Sequence, residues 1–331
     1  GLQPVAHSSE VSVVGITEVL RVLPRIREVF ASLLAEVDRR RPDAAVLIDF
    51  PDFNLRLARQ LARRGLRVVY YISPQVWAWR KGRVRTIARL VDRMLVLFPF
   101  EVDFYRRHHV KVVHVGHPLV DEVPQLSNAW ERGEPDGPFR IALLPGSRLS
   151  EIESLLPTML KAVRRLAAEL PIEVELIKAP TVPREVLEEQ IELAGLPVRI
   201  VSEDRFATIA DSHLALCASG TATLEVGLLG TPMIVVYRLG FWTWNLARLL
   251  VRLPSISLVN LVLGRRVVPE LLQGDANPDR IAFEAESILL DDRARTEMRE
   301  GLAELRGKLG EGGASVRAAR EVADLLRETP A

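Results

Sequence analysis

The stretch Leu214-Ala215-Leu216-Cys217-Ala218-Ser219-Gly220-Thr221-Ala222-Thr223-Leu224-Glu225 runs from a continuous apolar segment into a turn of small hydroxyl residues and glycine. The apolar part reads as a buried strand. The residues after Gly220 open a short helical pattern that stops at Gly230-Thr231-Pro232. A strand that feeds a helix in this way leaves free backbone N–H groups at the helix start. Those groups and the helix dipole attract an anion, typically a phosphate. Glu225 falls about one turn into the helix, where a carboxylate does not serve a phosphate but can accept hydrogen bonds from ribose hydroxyls. Together they point to a nucleotide or nucleotide-sugar. The competing reading is an ordinary βα turn with a surface Glu.

Working outward, the same strand–helix alternation fills the chain. Ala44 to Ile48, Arg67 to Ile72, Arg93 to Phe98 and Lys111 to Val115 read as buried strands, with helical patterns from Leu55 to Arg64, Val84 to Leu90 and Glu101 to His108. Residues 124–138, rich in Pro, Gly, Asn and acidic side chains, read as a linker. A second series follows: Arg140 to Leu144, Ile172 to Ile177, Val198 to Val201, His213 to Cys217 and Met233 to Val236. The expected fold is α/β, with two Rossmann-like, doubly wound parallel-sheet domains facing a cleft. The first domain would occupy residues 1–125 and the second 138–310, with residues 311–331 a closing helix that packs back on the first. An opening strand with a glycine-rich turn is expected before Ala44, and its absence from the sequence suggests that one or two βα units are missing at the front.

Composition narrows the function classes. The 331 residues are 48% hydrophobic, enough for large cores, and 44 basic residues against 43 acidic ones argue against a general nucleic-acid binder. Cys217 is the single cysteine, which rules out an internal disulfide framework or a cysteine-based zinc site and points to a reducing compartment. The span His213 to Tyr237 is apolar enough to suggest a membrane helix. Glu225 at its centre, three glycines and Pro232 instead favour a buried strand–helix–strand unit.

Four further segments carry chemistry. Asp49, in Ile48-Asp49-Phe50-Pro51-Asp52-Phe53-Asn54, ends an apolar strand, a place expected to desolvate a carboxylate, raise its pKa and suit it to take a proton. Asp52 or Asn54 would cap the helix that follows. In Leu144-Pro145-Gly146-Ser147-Arg148, Gly146 allows close backbone approach and Arg148 can grip a diphosphate through paired hydrogen bonds, with Ser150 and Glu153 forming a capping box. Trp77 and Arg80, in Trp77-Ala78-Trp79-Arg80, could stack on a sugar or uracil or meet lipid headgroups; the alternative is that the tryptophans are core anchors. Phe241 to Arg252 mixes aromatics, leucines and arginines as an interfacial helix would, and Asn260 is a polar side chain in an apolar run that needs a hydrogen bond, which a ligand could supply.

The segments Val14 to Leu20, Ile48 to Asn54, Tyr71 to Arg80, Val115-Gly116-His117-Pro118, Leu144 to Arg148 and Ala218 to Glu225 resemble lipid-A-disaccharide synthases, in order, from near Val13 to about Glu270. The resemblance implies a GT-B fold, an acceptor site mainly in the N-terminal domain and a UDP-sugar site mainly in the C-terminal one. It implies transfer from UDP-2,3-diacylglucosamine to 2,3-diacylglucosamine 1-phosphate, giving UDP and the β-1,6-linked precursor of lipid A. Inversion at the anomeric carbon needs one base, for which Asp49 is the candidate. Arg148 and the N–H groups from Ser219 to Thr221 would stabilise the leaving UDP. Gly146, Ser147, Ser219, Gly220, Thr221, Glu225, Asn260, Trp77 and Arg80 would contact substrates, with no metal or cofactor. The implied location is the cytoplasmic side of a Gram-negative inner membrane, peripheral to its phospholipid, with a homodimer as an option. Two alternatives stay open: another GT-B enzyme of UDP-GlcNAc, such as an epimerase or the peptidoglycan transferase, or a fragment that binds UDP-sugar or membrane without turnover.

Overall fold

The computed structural model describes residues 3–6, 16–77, 81–133, 135–238 and 255–328, with 16–22 and 81 as backbone only. The chain forms two compact units. The first comprises Gly1–Val96, Glu101–His114 and Val316–Ala331; the second comprises Leu97–Phe100 and Val115–Ser315.

The first unit is built from α1 (Ile16–Arg40), β1 (Ala44–Ile48), α2 (Pro51–Arg63), β2 (Arg67–Tyr71), α3 (Val84–Leu90), β3 (Arg93–Val96), α4 (Pro99–Arg106) and β4 (Val112–His114). Its four strands are parallel and ordered β1-β2-β3-β4, with Ala44 opposite Arg67 and Ile48 opposite Tyr71. Connections between consecutive parallel strands are right-handed, so α2, α3 and α4 cover one face of the sheet. Their inner sides share a core with it: Leu55, Ala58 and Leu61, then Ile87, then Tyr105, lie with Tyr70 and Met94. The last helix of the chain also belongs here. Arg67 Nη1 donates to the carbonyl oxygens of Leu325 and Glu328 (2.5 and 2.9 Å), where a helix C-terminus favours a cation, and Arg93 pairs with Glu321 at 2.6 Å.

The second unit contains α5 (Leu119–Glu122), β5 (Phe139–Leu144), α6 (Leu149–Glu169), β6 (Ile172–Ile177), α7 (Arg184–Ala194), β7 (Val198–Val201), α8 (Arg205–Asp211), β8 (Leu214–Ala218), α9 (Ala222–Leu228) and β9 (Met233–Tyr237). It continues with α10 (Leu258–Leu263), β10 (Glu270–Leu272), α11 (Pro278–Leu290) and α12 (Asp292–Leu309), and α13 (Ala314–Arg327) closes the chain. The six parallel strands run β10-β9-β8-β5-β6-β7. From β5 the chain steps outward through β6 to β7, then returns to the other side of β5 and steps outward again through β8. The order therefore reverses between β5 and β8, the place where open α/β sheets hold ligands. Every residue of β8 is buried, as its unbroken apolar run requires of a central parallel strand.

Two readings of the sequence change. Residues 124–138 are not a free linker: Asn128 Oδ1 accepts the N–H groups of Trp130 and Glu131, and Trp130 is buried. Trp130 Nε1 donates to the carbonyl of His213 at 2.8 Å, and the Arg295 guanidinium lies 3.7 Å from the ring centre. One large aromatic is enough to pin a turn-rich segment to a core. The other change is an added strand, β10, whose three residues Glu-Leu-Leu carry no periodicity and are extended by pairing with β9. Among the described residues no helix is long and apolar enough to cross a membrane, and His213 to Tyr237 forms the β8–α9–β9 unit.

Candidate functional site

At the reversal point the ends of β5, β6 and β8 and the start of α8 enclose a cavity of about 340 Å³, lined by Gly146, Ser147, Arg148, Lys178, Arg205 and Glu225 among others. The β5 turn is shaped by its own sequence. Gly146 has φ +118°, and a side chain there would meet Glu151 Cβ at 2.8 Å, so only glycine suits the turn. Glu151, not Glu153, completes the capping box. Its Oε2 accepts the backbone N–H groups of Ser147 (3.0 Å) and Arg148 (3.3 Å), and its Oε1 pairs with Arg148 Nη1 at 2.6 Å. The difference arises because the helix begins at Leu149 with Arg148 as its N-cap, two residues earlier than a Ser150 cap requires. A carboxylate thus occupies the N–H groups a phosphate would use, and the Arg148 side chain is 61% exposed.

The turn after β8 differs. Ser219 is engaged internally: its N–H donates to Val236 O and its Oγ to Ile256 O, both at 3.3 Å. Gly220 and Thr221 retain N–H groups with no acceptor among the described residues, and Thr223 Oγ1 steadies the turn by donating to Gly220 O at 2.8 Å. Glu225 follows, 16% exposed, with Arg205 Nη2 at 3.2 Å from its Oε1. Burial raises the Glu225 carboxyl above its ordinary range against the pull of Arg205. Arg205 escaped the sequence reading, because only tertiary packing brings α8 to α9. Its guanidinium lies 4.5 Å from the Phe206 ring centre, and its Nε is buried without a partner.

In the first unit Asp49 stands at the C-terminal end of β1. Asp49 and Phe50 both have left-handed backbones (φ +47° and +46°), a strained pair for non-glycine residues. Asn54 is the clamp, not a cap: it is buried, and its Nδ2 donates to the carbonyl oxygens of Ile48 (3.0 Å) and Asp49 (2.7 Å). Tyr70 Oη also donates to the Asp49 carbonyl, at 2.6 Å. The helix already begins at Pro51, so neither Asp52 nor Asn54 caps it, and Asp52 pairs with Arg83. The expected desolvation of Asp49 is not found; β1 is the edge strand among the described ones, and the residue is exposed.

The remaining site residues divide. Trp77 is half-buried, and its Nε1 donates to the buried Glu101 at 3.1 Å, which makes it an anchor of the first core. Asn260 is corrected from a ligand contact to a structural amide. It is 1% exposed, its Nδ2 donates to Val268 O and Glu270 Oε1, and its Oδ1 accepts from Val267 and Val268 N–H. Arg80 and the segment Phe241 to Arg252 lie outside the described residues. His117, in the Gly116-His117-Pro118 turn, is buried; its Nδ1 accepts the Leu119 N–H, and burial lowers its pKa to about 4.

Solved structures share this architecture at low identity. The UDP-bound MnaA of S. aureus matches with a TM-score of 0.62 at 15% identity, covering 97% of this chain and 85% of that one. MurG of Acinetobacter baumannii matches with a TM-score of 0.57 at 15% identity, covering 93% and 80%. The fold is GT-B. The family described as lipid-A-disaccharide synthetase matches residues 1–319. The lipid-A-disaccharide synthase of Myxococcus xanthus (strain DK1622) is 48% identical over 98% of this chain and 86% of its own length. The chain therefore belongs to the lipid-A-disaccharide synthase family, glycosyltransferases that form the lipid A disaccharide.

Proposed function

We propose that the second unit holds UDP-2,3-diacylglucosamine at the β5–β8 reversal and that Asp49 of the first unit activates the acceptor. The observation that carries this reading is the cavity itself. It combines unoccupied N–H groups at Gly220 and Thr221, an exposed arginine at the end of β5 and a half-buried carboxylate one helical turn further on. These suit the diphosphate and the ribose of one nucleotide. On arrival the diphosphate takes over the Ser147 and Arg148 N–H groups from Glu151, and the Glu225 carboxylate accepts from a ribose hydroxyl.

The chemistry is a single displacement. Asp49 takes the proton from the 6-hydroxyl of 2,3-diacylglucosamine 1-phosphate, O6 bonds to the anomeric carbon, and the bond from that carbon to the UDP oxygen breaks with inversion. Arg148 and the Gly220 and Thr221 N–H groups meet the charge that grows on the departing diphosphate. The substrates' acyl chains place the enzyme at the cytoplasmic surface of the inner membrane, as a peripheral protein. The test is a transfer assay with both acylated substrates in detergent micelles, following UDP and disaccharide together. UDP binding without disaccharide would mark the chain as a binding protein only, and turnover of UDP-GlcNAc in place of the acylated donor would favour an epimerase or peptidoglycan-type enzyme.

A further inference from the structure

The two compact units carry opposite charge. The first has 23 Lys and Arg against 14 Asp and Glu, a net +9, and the second has 21 against 29, a net −8; together they give the chain's +1. Near-neutral composition therefore conceals a strongly basic unit. Much of its excess lies on one surface. The helices α2, α3 and α4 cover one face of the first sheet, and their outward sides present exposed arginines: Arg56, Arg59 and Arg63 on α2, Arg85 and Arg89 on α3, Arg106 at the end of α4 and Arg107 directly after it. The spacings of three and four residues keep each set on one helical side, opposite the buried Leu55, Ala58, Leu61 and Ile87.

None of these seven arginines has a carboxylate partner among the described residues. Arg89 Nε and Arg107 Nε reach only main-chain oxygens, of Arg85 (3.3 Å) and Asp103 (3.1 Å). Elsewhere in the same unit several arginines are matched: Arg39 and Arg40 with Glu36, Arg64 with Asp38, and Arg93 with Glu321 and Glu328. Other exposed arginines there, such as Arg27, Arg41 and Arg320, have no carboxylate partner among the described residues, but they are scattered rather than gathered on one face. On the three-helix face the exposed acids are Asp52, already paired with Arg83, and Asp103.

We infer that the outward face of α2, α3 and α4 is a docking surface for anionic phospholipid headgroups. The inference rests on the proposed work at a lipid surface and fixes which side of the first unit meets it. Seven unpaired guanidinium groups spread over three helices suit many dispersed phosphates rather than one bound ion. Each basic residue close to an anionic leaflet strengthens attachment about five-fold, an effect salt screens within roughly 8 Å. Single-stranded nucleic acid is the weaker fit, because it needs aromatic side chains among the cations. Phe53 is half-buried on this face, while Phe104 and Tyr105 are buried.

The test is flotation with phosphatidylcholine vesicles, with and without phosphatidylglycerol, in low and in half-molar salt. The chain should float only with phosphatidylglycerol and be released by salt. Arg56→Gln/Arg59→Gln/Arg63→Gln/Arg85→Gln/Arg89→Gln should weaken flotation at least about tenfold. The separate pair Arg106→Gln/Arg107→Gln should weaken it less, and the pair Arg184→Gln/Arg293→Gln in the second unit not at all. Melting temperature and UDP affinity should match the parent in every variant. Equal flotation of the five-fold variant and the parent overturns the inference. So does binding that ignores phosphatidylglycerol or salt, or tighter retention of the parent on single-stranded RNA through the same arginines. The micelle transfer assay keeps the two proposals apart: transfer without flotation removes only the docking surface, and flotation without transfer removes only the catalytic reading.

Discussion

Asn54 Nδ2 stands 2.7 Å from the carbonyl oxygen of Asp49, and with the bond to Ile48 O it holds a left-handed pair of residues in place at the end of β1. The carboxylate of Asp49 projects from a backbone that is strained and stapled from beneath. Asn54→Ala should cost about 1–3 kcal/mol of stability, since two carbonyl oxygens lose a buried donor. It should also lower kcat for transfer while leaving UDP affinity unchanged. Asn54→Asp should be at least as damaging, because a carboxylate cannot donate to carbonyl oxygens. A thermal melt and a UDP titration, run beside the transfer assay, decide this; full activity in a stable Asn54→Ala protein would sever the clamp from catalysis.

Asp49→Asn is nearly isosteric and removes the proposed proton acceptor. Turnover should fall ~10²–10⁴-fold, the usual cost of losing a general base, while UDP binding stays close to that of the parent. Retention of most of the parent rate would move the base elsewhere, with Asp52 the next carboxylate to substitute.

Arg148→Ala and Glu225→Ala should separate kinetically. In the proposed role Arg148 would face charge that grows only as UDP leaves, so its loss should appear mainly in kcat. Glu225 would hold the ribose in ground and transition state alike, so its loss should appear mainly as a raised KM for the UDP-sugar. Steady-state kinetics in donor concentration read both values, and a pure KM effect for each would contradict the division of roles.

His117 and His213 give the second unit an acid-sensitive stability. Burial lowers both from 6.5 to about 4, with Arg140, Arg132 and Arg295 adding to the shift at His213. Because each folded pKa lies below the unfolded one, the unfolded chain binds more protons between those values. Stability is fully present above pH 6.5 and declines as pH falls toward 4. Each histidine accounts for on the order of 3 kcal/mol over that window. His117→Asn and His213→Asn should flatten the decline in urea midpoints measured from neutral to acid pH. An unchanged slope in the double variant would assign the acid sensitivity to other groups.

The strands were legible because parallel strands buried on both faces need unbroken apolar runs. Leu214 to Ala218 announces itself in this way, and the glycine and hydroxyl turn after it marks the edge where open α/β sheets hold ligands. Ala44 to Ile48, read from the same kind of run as a buried strand, is instead an edge among the described strands, with Val46 and Ile48 exposed. What the sequence by itself determined is the class of fold, the order of nine of the ten described strands, and the motifs that place the chain in its family. The tertiary structure alone decided which polar groups those motifs leave free. Asn260 looked like a ligand contact until Val267, Val268 and Glu270 filled its hydrogen bonds, and Glu151 took the Ser147 and Arg148 N–H groups. Arg205 reached Glu225 from another helix, and the arginines of α2, α3 and α4 became one surface because three crossovers put them on one face. The physical reason is that burial is written locally, in runs and periods of apolar side chains. Hydrogen-bond partners and charge neighbours are instead set by which distant elements the packed sheets bring together.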